Sequence, residues 1–87
     1  MEWTIISWVA RGRLRQRVLS SLDQPKTATM IAKQLETHRS TVSQILGELE
    51  QHKLVICKDN DAPYNRFFEI TKKGKEVSQK LKRIVND

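Results

Sequence analysis

The chain has 87 residues and a formal net charge of +6, from 16 lysines and arginines against ten acidic residues. This length allows one domain, residues 1–87, and the balance of 38% hydrophobic and 30% charged residues excludes disorder as the default. No apolar run approaches the roughly 18 residues of a membrane span, and no signal peptide is recognisable, so a cytoplasmic protein is predicted. The basic charge favours nucleic-acid binding, although solvated lysine-rich surfaces give the same charge.

Residues 3–23 are predicted to form one long first helix, because Leu14, Val18 and Leu22 recur at helical spacing. It ends before Pro25, since the residue preceding a proline avoids the helical conformation. Near its start, apolar residues cover more than one face. A domain of this size can hardly bury both sides, so part of the helix is expected to form a subunit interface; burial of both tryptophans in the monomer core is the alternative. The interface residues predicted here are Trp3, Ile5, Ile6 and Trp8.

Residues 27–53 are predicted to form a helix-turn-helix. Apolar residues recur at i, i+3, i+4 and i+7 twice, in the first helix as Ala28, Ile31, Ala32 and Leu35 and in the second as Val42, Ile45, Leu46 and Leu49. The intervening ETHR has room only for a tight turn, so the helices must pack at a steep angle. Thr27 is the predicted N-cap of the first helix, and Thr37 or His38 starts the second.

The outward face of the second helix carries hydrogen-bonding side chains and no carboxylate up to Gln44. In a DNA major groove, base edges offer acceptors to arginine and paired donor and acceptor sites to glutamine, while phosphates accept from serine and threonine. We therefore predict base contacts from Arg39, Thr41 and Gln44. The predicted phosphate contacts at this end of the domain are Thr27, His38, Ser40 and Ser43.

Residues 54–70 are predicted to form a β-hairpin. LVICK is β-branched and apolar, DNDAP is a turn cluster, and YNRFFEI alternates apolar and polar residues. The tip holds Asp59 and Asp61, which phosphate would repel, so Lys58 and Arg66 at its base are the better candidates for DNA contact. Two carboxylates at i and i+2 are a weak calcium signal, and a solvated turn is favoured.

Residues 71–86 are predicted to form the last helix, with Thr71 as its cap. Its apolar stripe can pack only against the first helix, either of the same chain or of a partner. The stripe therefore predicts a homodimer through the N- and C-terminal helices, with two recognition helices about 34 Å apart. The interface residues predicted in this helix are Val77, Leu81, Ile84 and Val85.

The segment from Thr27 to Val55 resembles the helix-turn-helix of winged-helix transcription regulators of the ArsR and MarR kind. RFFEITKKGKEV, from Arg66 to Val77, is similar to the last wing strand and following helix start of those regulators. The resemblance implies a winged helix-turn-helix, mainly α with a small β wing (α+β), in the order helix, helix, helix, strand, strand, helix. Gln44 and Gly47 are often basic in relatives, and Lys53 stands where relatives usually have the glycine that lets a helix end in the left-handed conformation. The matching residues are Thr27, Ile31, Ala32, Leu35, Ser40, Thr41, Val42, Ser43, Leu46, Leu49, Leu54 and Val55.

These features predict a homodimeric DNA-binding transcription regulator. The recognition helix, residues 39–52, would enter the major groove of double-stranded DNA, and the wing, residues 54–70, would contact the backbone or minor groove. Lysine and isoleucine usage favours an archaeal source. The alternative is a winged-helix protein-interaction module of transcription or replication machinery without specific DNA binding.

Catalytic, cofactor and metal sites are not predicted. The sequence has no phosphate-binding glycine loop and no recognisable catalytic spacing, so we do not expect an enzyme or a cofactor. His38, His52 and Cys57 are the only soft metal ligands, and the cysteine-rich motifs of metal-sensing ArsR proteins are missing. A small-molecule effector stays unknown and would have to bind at the dimer interface.

Overall fold

The computed structural model describes residues 2–58 and 66–86, with side chains for residues 4–58 and 66–83. The described residues form five helices and two strands, so the predicted α+β architecture is confirmed. The predicted wing tip, with Asp59 and Asp61, lies outside the described residues. In chain order the elements are α1 (Glu2–Arg11), α2 (Arg13–Ser21), α3 (Ala28–Leu35), α4 (Arg39–Gln51), β1 (Val55–Cys57), β2 (Phe68–Ile70) and α5 (Lys72–Asn86).

The predicted first helix is two helices, and the prediction of one continuous helix over residues 3–23 is wrong. Gly12 has an extended backbone, with φ −108° and ψ 104°. Side chains from α2 bind carbonyl groups at the end of α1: Arg15 donates to the Trp8 oxygen at 2.6 Å, and Gln16 donates to the Ala10 oxygen at 2.8 Å. These donors replace helical N–H groups, so the break leaves both carbonyls satisfied.

The hydrophobic core lies around α2, which packs against each of the other four described helices. α4 contributes its whole apolar stripe, as the helical periodicity predicts. No described helix is both long and apolar enough to span a membrane. The largest fully buried side chains of the core are Ile6, Leu19, Leu22, Ile31, Leu46, Leu49 and Leu54.

The helix-turn-helix follows the prediction closely. Thr27 caps α3, since its hydroxyl accepts a hydrogen bond from the Met30 N–H at 3.1 Å. α3 ends at Glu36, which adopts the left-handed conformation with φ 55°. His38 is the N-cap residue of α4 but makes no side-chain capping bond. The turn between the two helices is therefore only three residues long, 36–38.

A short backbone pairing joins the start of α3 to the wing. β1 and β2 pair antiparallel, with Val55 opposite Ile70 and Cys57 opposite Phe68. Lys26 then forms an isolated bridge to Phe68 through two backbone hydrogen bonds, of 3.1 and 2.8 Å. This bridge was not predicted, and it brings Thr27 next to the base of the wing.

The junction of α4, β1 and α5 is defined here by Lys53, Leu54, Thr71 and Gly74. Lys53 has φ 64°, which confirms the left-handed helix end expected at this position. The Thr71 hydroxyl accepts from the Gly74 N–H at 3.0 Å and lies 2.8 Å from the Lys53 oxygen, to which it can donate. A Cβ on Gly74 would overlap the Leu54 carbonyl oxygen and lie 2.7 Å from Ile70 Cγ1. Glycine is therefore the residue that fits this site.

Part of the predicted subunit interface lies inside a single chain. Ile6, Val77 and Leu81 are only 1%, 4% and 5% exposed, because α1 packs against α5 of the same chain. These three side chains therefore have little exposed surface left for a partner subunit. Ile5 and Trp8 are half-buried against that core. The side chains of the other predicted interface residues, Trp3, Ile84 and Val85, lie outside the described part of the chain.

Candidate nucleic-acid interface

An open recess of about 250 Å³ lies between the start of α3, one face of α4 and the base of the wing. Four of its residues are DNA contacts predicted from sequence: Thr27, Arg39, Ser43 and Arg66. They come from three separate segments of the chain, and the fold brings them together. The other residues lining the recess are Ala28, Thr29, Gly47, Glu50 and Phe68.

The packing of α4 explains which of its residues face the recess. Val42, Ile45, Leu46 and Leu49 are buried, so the opposite side of the helix faces outward. Residues 39, 43, 47 and 50 are spaced by four, four and three positions, which places them on one side of an α-helix. The recess therefore follows almost the full length of α4.

The charged groups of the recess have no ionic partners among the described residues. Arg39, Glu50 and Arg66 are all exposed. None of the ion pairs between described residues, with nitrogen–oxygen distances of up to 4.0 Å, includes Arg39, Glu50 or Arg66. Two guanidinium groups and one carboxylate are thus available to a ligand.

The remaining predicted contacts lie outside the recess lining. His38, just before α4, and Ser40 and Gln44, in its first half, are exposed to solvent. Thr41 is half-buried, which limits its reach towards a base. Lys58 is exposed but lies 3.9 Å from a carboxylate oxygen of Glu69. A surface pair of this kind is weak, so it does not prevent Lys58 from turning to a phosphate.

Glu50, Gly47 and Thr29 were missed as site residues. The predicted polar face of α4 ended at Gln44, whereas the same helical spacing continues from Ser43 to Gly47 and Glu50. That spacing was the available signal for the two α4 residues. Thr29 gave no such signal, because its place in the recess depends on the backbone bridge between Lys26 and Phe68.

Lys26 lies next to the recess in sequence, but its charge is used within the chain. Its ammonium group donates to Gln34 Oε1 at 2.8 Å and lies 3.2 Å from Asp23 Oδ1. The hydrogen bond from Lys26 lowers the pKa of the Asp23 carboxyl below its ordinary value. Lys26 therefore fixes the loop that leads into α3 and is a poor candidate for phosphate contact.

A second polar cluster joins α1 to the end of α4. The Arg15 guanidinium lies 4.4 Å from the centre of the Trp8 ring and 3.9 Å from a Glu48 carboxylate oxygen. The His52 ring lies 4.4 Å from the Trp8 ring, centre to centre. Trp8 is thus held by contacts within its own chain. Among the described residues, no three acidic, histidine or cysteine side chains are grouped so that they could hold a metal ion.

Comparisons with known proteins agree with this architecture. The IclR helix-turn-helix domain family matches residues 17–55, which run from α2 to the start of β1. No curated protein matches the sequence. Among solved structures, the transcriptional regulator BldR from Sulfolobus solfataricus superposes with a TM-score of 0.74 at 21% identity, covering 84% of this chain and 54% of that one.

Two further structures are similarly close. A MarR-family regulator from Neisseria meningitidis, NMB1585, has a TM-score of 0.76 at 18% identity, covering 95% of this chain and 63% of that one. A MepR mutant from S. aureus, bound to an oligodeoxyribonucleotide, has a TM-score of 0.73 at 23% identity, covering 85% and 57%. The chain spans little more than half the length of these structures. It has the winged helix-turn-helix fold of transcription regulators, as the sequence predicted.

Proposed function

We propose that the chain binds double-stranded DNA through the recess and the start of α4, and that it regulates transcription. The observation that carries this proposal is the convergence of Thr27, Arg39, Ser43 and Arg66 on one open recess. They were predicted as DNA contacts from three separate parts of the sequence. Two exposed guanidinium groups without ionic partners among the described residues supply the charge that a phosphate backbone requires.

The expected geometry places α4 in the major groove. The first residues of a recognition helix contact base edges, so Arg39 and Gln44 are the proposed base readers. The backbone beside the groove would then cross the recess, where Ser43, Thr27 and Arg66 can bind phosphate. The MepR mutant, which shares this fold, was solved bound to an oligodeoxyribonucleotide, which supports the proposal.

A homodimer is part of the proposal, with a smaller interface than the sequence predicted. Ile6, Val77 and Leu81 are already buried in one chain. The proposed contacts are therefore Ile5 together with Trp3, Ile84 and Val85. Two-fold pairing would place two α4 helices about one turn of DNA apart. Sedimentation equilibrium tests this directly, and a mass equal to one chain at high micromolar concentration would remove the dimer from the proposal.

The test of DNA binding is a competition assay. Duplex fragments, including the DNA upstream of the protein's own gene, are titrated with the chain at several salt concentrations and with excess unrelated duplex. We expect one fragment to survive competition and its affinity to fall steeply with salt, because phosphate contacts release counterions. Absence of binding to every fragment at low salt would contradict the proposal.

A protein-interaction module is the second candidate, and the outer face of the wing favours it. Ile56 and Phe67 are 43% and 38% exposed, which is high for large apolar side chains. The strand pairing places both on the same face of the hairpin. Replacing both with threonine should leave DNA binding unchanged if the recess is the functional site. A chain that binds no duplex at low salt would make this second function the leading one.

A further inference from the structure

We infer that Glu50 limits the affinity of the recess for DNA, because its carboxylate repels the backbone phosphates that Arg66 attracts. The inference rests on the proposed function and assigns a role to Glu50, the one carboxylate among the described residues that line the recess. Glu50 lines the same recess as Arg39 and Arg66. No ion pair with either arginine neutralises it.

Glu50 makes no ion pair with another described residue that would stabilise the fold. Glu50 is exposed and lies one residue before the end of α4. Negative charge in the last turn of a helix is unfavourable, because the carbonyl end of the helix dipole is also negative. The last turn of α4 contains no basic residue that would compensate. A carboxylate that has no ion pair among the described residues, in a recess that also holds two arginines, is in a position to act on a bound ligand.

Position along the helix separates Glu50 from base recognition. Glu50 lies eleven residues after Arg39, which corresponds to roughly 16 Å along the helix axis. Base edges are contacted mainly by the first residues of a recognition helix. Glu50 instead lies where α4 faces the base of the wing, beside Arg66 and Phe68. The phosphate backbone, and not a base, is therefore the group that its carboxylate meets.

The expected consequence concerns affinity for any duplex. Sequence-independent binding depends almost wholly on phosphate contacts, and one repelling carboxylate lowers it whatever the sequence. At a given protein concentration, only duplexes that add base contacts from the start of α4 would then remain occupied. Glu50 thus keeps the chain from being held on unrelated DNA.

The test measures binding to a duplex of unrelated sequence, so no operator needs to be known. Glu50→Gln removes the charge and keeps the shape, and Glu50→Lys reverses it. The matched controls are Glu76→Gln and Glu76→Lys, which make the same changes in net charge on α5, a helix with no residue in the recess. Thermal unfolding of all four variants checks that the fold is kept.

We expect Glu50→Gln to bind about threefold to tenfold more tightly than the unsubstituted chain at low salt. Glu50→Lys should bind more tightly still and steepen the dependence of log K on log salt by about 0.9, the value for one added phosphate contact. The Glu76 variants should change affinity by less than the Glu50 variants at each salt concentration, and by less than about twofold near 0.15 M salt, where the Debye length is about 8 Å.

Two results would overturn this inference and leave the proposed DNA binding unaffected. Gains at Glu76 equal to those at Glu50 would show that only net charge matters. A loss of affinity in Glu50→Gln would show that Glu50 accepts a hydrogen bond in the complex. If neither the unsubstituted chain nor Glu50→Lys binds duplex at low salt, the proposed function fails, and the inference fails with it.

Discussion

The recess and the junction of α4, β1 and α5 differ in how far folding determines their residues. At the junction, the Thr71 hydroxyl is hydrogen-bonded to the Lys53 carbonyl and to the Gly74 N–H, and Gly74 has no room for a side chain. In the recess, the charged groups lack ionic partners in the described part of the chain, and a Cβ on Gly47 would meet nothing within 4 Å. Residues at the junction are required by the fold, whereas the charged residues of the recess and Gly47 are free to suit a ligand.

The largest expected effect comes from filling the junction. Gly74→Ala should lower the free energy of unfolding by about 3 kcal/mol, because the added Cβ overlaps a backbone carbonyl that cannot move without shifting β1. Urea unfolding followed by tryptophan fluorescence measures the change. A loss below about 0.5 kcal/mol would show that the junction is less tightly packed than it is in the structure.

Removing a charge from the recess should affect binding but not folding. Arg39→Ala is expected to weaken the complex with a preferred DNA fragment by about 1 to 3 kcal/mol, because a base contact is lost. The control is Arg17→Ala, which removes the same charge from the exposed side of α2. Equal losses from the two variants would mean that Arg39 contributes only general charge.

Removing the Thr71 hydroxyl should lower the free energy of unfolding less than adding a side chain at Gly74. Thr71→Ala removes the cap of α5 and the bond to the Lys53 or Leu54 oxygen, so we expect a loss of about 1 to 2 kcal/mol in stability. Thr71→Ser keeps the hydroxyl and should recover most of it. An equally unstable serine variant would show that the methyl group, and not the hydroxyl, matters.

The smallest expected effect is a gain in stability, from a substitution at Gly47 in the recess. Gly47→Ala should raise the free energy of unfolding by up to about 1 kcal/mol, because alanine favours the helix and the Cβ points into open space. Denaturant unfolding measures the gain. Loss of DNA affinity in this stable variant would show that DNA packs closely against position 47.

The parts of the fold that depend on local sequence were predicted well. The apolar spacing in α3 and α4 and the Thr27 and Thr71 caps follow from a few neighbouring residues. The left-handed conformation of Lys53 was expected from the family resemblance. The break at Gly12 was not predicted, because the spacing of Leu14, Val18 and Leu22 continues the first helix without a change. It depends on Arg15 and Gln16 reaching back to carbonyls of α1.

Contacts between segments that are far apart in the sequence could not be predicted. Periodicity indicated that Val77 and Leu81 are buried, but it cannot tell whether the covering helix belongs to the same chain. In the structure α1 of the same chain covers them. Glu50 belongs to the recess only because the base of the wing turns towards the last turns of α4. Arg39 and Ser43 were found because their helical face is readable from sequence.

The central claim is that DNA binds at the recess, and amide chemical-shift mapping tests it most directly. A short duplex is titrated into the isotope-labelled chain at low salt. We expect the largest shifts at the recess, in the amides of Thr29, Ser43, Gly47, Glu50 and Arg66. Shifts confined to α1 and α5, or none at all, would contradict the claim.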